Sequence, residues 1–235
     1  MSDPVVTYEQ SDDIVKISMD DGKANALSYQ MLDELDAAFD RAEADGKAVV
    51  LAGREGKFCA GFDLKEMMKG PAAAGALVTR GGQLLLRLYE IGLPVVVACT
   101  GHALAGGVLL AATGDWRIGS LGSFKLGLNE VHNGMPVPIL AHELARDHLL
   151  PTELLASVVH AKIYDPEGAV RAGWLDAAVA PAELLATATS EAKRLGALPR
   201  MAYSASKRSL RRQTIAYIKG SLESNVAELL GPGAS

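Results

Sequence analysis

Apolar positions change their spacing several times along the chain, and each change marks an element. In IVKISM (14–19), Val15, Ile17 and Met19 fall on alternate positions, the period of a strand with one buried face. The turn DDGKAN follows, and Ser28 stands where a hydroxyl can cap the first amides of a helix. That helix is expected to reach about Gly46, with Met31, Leu32, Leu35, Phe39 and Ala42 on one face. AVVLAG (48–53) and PVVVACT (94–100) are short unbroken apolar runs, which suit strands covered on both faces. A helical period spans 75–91 between them. GHALAGGVLLAAT (101–113) reads as a turn leading into a buried helix. DWRIGS (115–120) and SFKLG (123–127) read as two further short strands.

From Pro136 the pattern becomes mostly helical, with helices expected near 137–147, 152–158, 166–172, 182–195 and 200–229. Alternating strands and helices followed by helices alone give an α/β fold class with a helical C-terminal part. One rough echo stands out: buried strand, turn with glycine, then helix, at 48–69 and again at 94–113. The closing GPGAS is expected to be loose.

Composition narrows the function classes. The 235 residues favour one domain, or one domain with a small helical extension, and 49% apolar residues argue against a disordered chain. A net charge of −5 lacks the broad basic surface of a nucleic-acid binder. Cys59 and Cys99 form neither a CxxC pair nor a metal spacing, which suits a reduced, cytoplasmic setting. MSDPVVTYEQ lacks the basic region and apolar core of a signal peptide, and no apolar run reaches the ~18 residues of a membrane span. HELARDH (142–148) invites a zinc reading, but Arg146 stands where a second His would share the helix face with His142. No metal is expected. Cys59 lies in a glycine-bearing turn, yet no His adjoins it in sequence, and free Cys is usually a small buried hydrophobe.

Two turns are more informative. FCAGFDL (58–64) and GHALAGGVLL (101–110) each follow an apolar run and lead into an expected helix. The first amides of a helix have no partner within it and carry partial positive charge. A glycine beside such a donor lets a ligand approach closely. Two such turns facing each other would place two amides on one carbonyl oxygen, an oxyanion hole in which one donor is worth ~3–4 kcal/mol. The alternative is that the glycines only allow tight turns and close helix–sheet packing.

KANALS (23–28), FCAGFDL, PVVVACTGHALAGG, DWRIG and GLNEVHNGM (127–135) together resemble the crotonase (enoyl-CoA hydratase/isomerase) family over most of the chain. The resemblance implies a crotonase-like ββα superhelix over 1–195 and a helical trimerisation region over 196–235. It implies a coenzyme A thioester as substrate, no separate cofactor, and a homotrimer or hexamer. Carried over residue by residue, the oxyanion donors are the amides of Phe62 and Gly106. Ala60, Gly61, Asp63 and Leu64 would touch the ligand, Asp63 also reading as a helix cap, and Ala24 with the NAL segment would border the adenine end. Asn129 would contact the acyl part or support its loop.

The resemblance also points to a branch. Hydratases of the family have two glutamates, one three residues after the second-turn glycine and one after the following strand. Here the first position is Leu109, and the second is Glu130 in GLNEV. One carboxylate is similar to the Δ3,Δ2-enoyl-CoA isomerase branch, in which a single group serves as base and then acid. An apolar Leu109 would also exclude water and favour a neutral Glu130. Hydration, thioester hydrolysis or silent acyl-CoA binding remain alternatives. KRSLRR (207–212) is either a solvated helix face or a lure for phosphates, with Lys207 the candidate contact.

Overall fold

Two short apolar strand runs, each followed by a glycine turn, build the centre of the molecule. In the computed structural model, which describes residues 3–11 and 14–230, β1 (Val6–Gln10) pairs antiparallel with β2 (Ile14–Met19). Ser28 caps α1 (Tyr29–Asp45) by accepting from the Met31 amide, and Gly46 closes it in the left-handed conformation at φ 68°. Then come β3 (Ala48–Ala52), β4 (Gly56–Cys59) and a short α2 (Leu64–Met67). The second copy of this plan follows α3 (Pro71–Glu90): β5 (Val95–Cys99), β6 (Gly101–Leu104) and α4 (Gly106–Ala112). A third begins with β7 (Trp116–Ser120) and β8 (Leu126–Gly127).

Like strands of successive turns stack on each other. One sheet runs β1-β2-β3-β5-β7 and ends in β9 (Ala177–Val179), and the other runs β4-β6-β8. Apart from the β1–β2 pair the ladders are parallel. The architecture is therefore a ββα spiral, and the echo seen in the sequence is its repeat. β3 and β5 are buried at every position, as strands covered on both faces must be.

The rest is helical: α5 (Ile139–His148), α6 (Pro151–Val158), α7 (Pro166–Ala172), the short β9 (Ala177–Val179), α8 (Leu184–Gly196) and α9 (Arg200–Leu230). α9 packs along α3 and α5. No helix among the described residues is long and apolar enough to cross a membrane.

Several boundaries differ from expectation. β4 and β6 are strands where turns are read, because each gains its hydrogen bonds from the neighbouring spiral turn rather than from an apolar run of its own. SFKLG contributes only Leu126 and Gly127, since Phe124 folds back to the Gly122 carbonyl in a turn. α3 begins at Pro71, whose fixed φ suits a first helical position. β1 and β9 were not legible, being short and at most half-buried. GPGAS lies outside the described residues.

Candidate active site

Four chain segments lie side by side at the C-terminal end of the small sheet. The first is the KANAL turn. Asp21 accepts from the amides of Lys23, Asn25 and Ala26, and the fully buried Asn25, at φ 54°, donates through Nδ2 to the carbonyls of Met19 and Phe58. This turn is stitched to the first glycine turn: Ala60 N donates to Ala24 O at 3.0 Å, and Leu27 N to Gly61 O at 2.8 Å. The first turn abuts the second. A Cβ on Gly61 would lie 3.0 Å from Ala105 Cβ and 3.3 Å from Gly106 N. A Cβ on Gly107 would fall 2.0 Å from Cys59 O. The second turn joins the fourth segment through Ala105 N, which donates to Gly127 O at 3.0 Å.

Two features of these turns point beyond packing. Among the described residues, the loop, turn and cap hydrogen bonds leave the amides of Phe62 and Gly106 without an acceptor. Ala105 has φ 49° and ψ −126°, a backbone state that costs an L-residue on the order of 1–3 kcal/mol and persists only where its surroundings impose it. The strain sits immediately before Gly106, the first residue of α4.

Next to the turns is a cavity of about 210 Å³. Ala60, Phe62 and Leu64 come from the first turn, Ala105 and Leu109 from the second, and Asn129 and Glu130 from the segment after β8. Val226 and Leu229 of α9 complete it from the C-terminal side. The Phe62 ring is wedged between α3 and α4, against Gly81 and Gly106. Leu109 is buried in the cavity wall.

Glu130 opens a short 3-10 turn, Val131–Asn133, and its carbonyl accepts from the amides of Asn133 and Met135. Glu130 is 8% exposed, and its Oε2 is buried without a partner. Burial pushes its pKa above the ordinary carboxylate range, opposed in part by its own amide and that of Asn129. Asn129 Oδ1 is likewise buried and unpaired. Buried polar atoms are normally satisfied, so two orphans at one cavity mark a place for a ligand's donors.

The other expected residues lie as follows. Ala24 is half-buried behind the first turn and touches it through its carbonyl. Asp63 caps α2 by accepting from the Lys65 amide. Lys207 requires correction. It is buried, its ammonium 2.8 Å from Asp115 Oδ2 and 3.0 Å from Leu93 O, so it cannot reach out to a phosphate. Arg211 is also buried on Asp115, while Arg208 and Arg212 are the exposed members of the cluster. The run KRSLRR thus alternates between an internal ion pair and a solvated face. Cys59 is buried, and its thiol is pushed up to about 12, so it is no thiolate. His148 is half-buried, held neutral by desolvation with its pKa lowered to about 3, and its Nε2 donates to Ala112 O at 2.7 Å. Among the described residues no group of His, Cys, Asp and Glu is assembled to hold a metal ion. Sequence reasoning missed Asn25 and Asp21, whose place in the KANAL turn was visible but whose role depends on carbonyls far along the chain.

The chain is also similar to known proteins. The profile described as enoyl-CoA hydratase/isomerase matches residues 9–227. A probable enoyl-CoA hydratase of Bacillus subtilis is 37% identical over 116 residues, 48% of this chain and 45% of that protein. Human mitochondrial enoyl-CoA delta isomerase 1 is 29% identical over 195 residues, 81% of this chain and 65% of that protein. The chain therefore spans less than two thirds of either relative. An enoyl-CoA hydratase/isomerase family protein from Pseudomonas syringae, known as a crystal structure, superposes with TM-score 0.93 at 36% identity, covering 96% of this chain and 98% of that one.

Proposed function

Because this chain belongs to the enoyl-CoA hydratase/isomerase family, we propose that it binds an acyl-CoA thioester and moves the double bond of 3-enoyl-CoA to the 2-position. The single observation that carries the isomerase reading is the pairing of Glu130 with Leu109. Among the described residues lining the cavity, Glu130 is the one carboxylate, and the place of a second is taken by an apolar side chain.

In this reading the thioester oxygen accepts from the amides of Phe62 and Gly106, both free of protein acceptors. Those donors stabilise the enolate that forms when a C2 proton leaves. Glu130 takes that proton, and the electron pair spreads over the C3–C4 double bond. Glu130 then returns the proton to C4, leaving the double bond conjugated with the thioester. A buried carboxylate with a raised pKa suits both halves, since it holds and releases the proton with a small driving force. The apolar wall at Leu109 keeps water from competing for the enolate. Asn129, through its unpaired Oδ1, accepts from a donor on the substrate. Self-association into trimers is part of the proposal, supported by the exposed apolar residues Leu150, Leu155 and Val159 around α6.

The test offers purified protein 3-enoyl- and 2-enoyl-CoA side by side. Bond migration without water uptake is expected. Glu130→Gln should lose turnover by roughly 10²–10⁴-fold while still binding acyl-CoA by calorimetry. Water uptake by 2-enoyl-CoA would instead establish the second reading, hydration, which the Bacillus subtilis relative's name favours.

A further inference from the structure

α3 carries two adjacent glycines, Gly81 and Gly82, in its interior. A glycine weakens a helix interior relative to alanine, so each needs a reason. The structure supplies one for both. A Cβ on Gly81 would lie 2.1 Å from Phe62 Cε1 and 2.7 Å from its Cζ. A Cβ on Gly82 would lie 2.8 Å from Leu222 Cδ1 of α9. The glycine pair is a two-sided seat that receives a ring from the first turn on one side and a leucine of α9 on the other.

The occupants of that seat are walls of the cavity or next to them. Phe62 lines it directly, and Val78, one helical turn before Gly81, lines it from α3. Leu222 stands four residues before Val226 and seven before Leu229, on the helix face that lines the cavity. The far edge of the ring meets Gly106, where a Cβ would be 3.3 Å away. The ring therefore fills the gap between α3 and α4, and without it the cavity would run on into the Gly81 hollow.

We infer that Phe62, seated in the Gly81 hollow, is the residue that sets acyl-chain length, by closing the cavity between α3 and α4. This rests on the acyl-CoA reading above and deepens it. At about 210 Å³ the cavity lies below the roughly 300–1,000 Å³ of an ordinary small-ligand pocket. Short acyl groups fit that space, and long ones meet the ring. Phe62 acts here through its side chain, separately from the role of its amide.

The experiment measures Kd by calorimetry, and kcat/KM, for four-, six- and ten-carbon acyl-CoA thioesters. The unmodified protein should favour the four- and six-carbon ligands over the ten-carbon one by roughly tenfold or more, the scale on which a hydrophobic pocket discriminates added methylenes. Phe62→Ala should remove or reverse that preference, and Phe62→Leu should shift it partway. Gly81→Ala should drive the ring into the cavity and weaken six-carbon binding more than four-carbon binding. Gly82→Ala presses on Leu222 instead, and should lower the melting temperature with the length profile unchanged. Binding of all three ligands with the same profile in the unmodified protein and in Phe62→Ala overturns the inference alone. No binding of any acyl-CoA by the unmodified protein overturns the functional reading and this inference with it.

Discussion

At the scale of single residues, Glu130 carries the most specific consequence. Its carboxyl is buried and its pKa is raised, chiefly by desolvation. As the base of the proposed reaction it works only when ionised, so kcat/KM should rise with pH and level off. The midpoint of that acid limb should lie above the ~4.3 of an ordinary glutamate. Stability should run the other way. The folded state holds this proton more tightly than the unfolded chain, so it binds more protons between the ordinary glutamate value and the raised folded one. Stability is then fully present below that interval and falls as pH rises through it. Glu130→Gln should lack that fall, so its melting temperature relative to the unmodified protein should climb from acid to neutral pH. A constant difference across the range would mean that Glu130 is not desolvated as described. The position of Glu130 was legible in the sequence, because GLNEV sits in a recognisable order after the second turn. The fate of Lys207 was not legible. A basic run on a helix looks the same from the sequence whether Asp115 waits beneath it or not, and only the packing of α9 on the body decides.

At the scale of elements, the repeat depends on how closely consecutive spiral turns approach. Gly107 is the tightest instance near the site. Any Cβ there would fall 2.0 Å from the Cys59 carbonyl oxygen, a backbone atom that cannot rotate away. Gly107→Ala should therefore force β4 and α4 apart and destabilise the fold by on the order of 3 kcal/mol or more, read from the denaturant midpoint. Since the same displacement separates Gly61 from Ala105, acyl-CoA binding should fail even in whatever folded protein remains. A wild-type midpoint would show that the two turns are not held in register by this contact. The long apolar strands and amphipathic helices were readable because each carries its own period. β4 and β6 were read as turns because four residues hold too little pattern, and their pairing partner is a spiral turn away in sequence. The glycines were visible throughout, but their two possible reasons, close packing and ligand approach, separate only in three dimensions. Gly107 and Gly81 serve packing, while the unpartnered amide of Gly106 is what a ligand can use.

At the scale of the whole molecule, the long α9 must be fastened to a body that it also helps to make functional, and the fastening is ionic. Asp115, just ahead of β7, accepts from Val95 N and from Lys207, each at 2.8 Å, and forms an ion pair with Arg211 at 3.1 Å. Arg211 also donates to Tyr89 O at 2.7 Å and stacks its guanidinium 4.0 Å over the Tyr89 ring. One carboxylate thus ties β5, β7 and α9 together inside the fold. Burial lowers the Lys207 pKa to about 8, against the pull of Asp115, so the ammonium is poorly solvated and relies on its partner. Removing one member of such a group is worse than removing a pair, because it leaves a charge buried and uncompensated. Asp115→Ala should lower unfolding stability by about 3–5 kcal/mol. Adding Lys207→Met should recover part of the loss, so that the double variant is more stable than the sum of the singles predicts. Strictly additive losses in a denaturant cycle would show that Lys207 and Asp115 do not interact. Because Val226 and Leu229 of the same helix line the candidate site, loosening α9 at Asp115 should also weaken acyl-CoA binding. At one fixed ligand concentration the melting shift should then be smaller for Asp115→Ala than for the unmodified protein, because ligand stabilises the folded state only as strongly as it binds it. That difference in ligand-induced melting shift is what ties the anchor of α9 to the roof of the cavity.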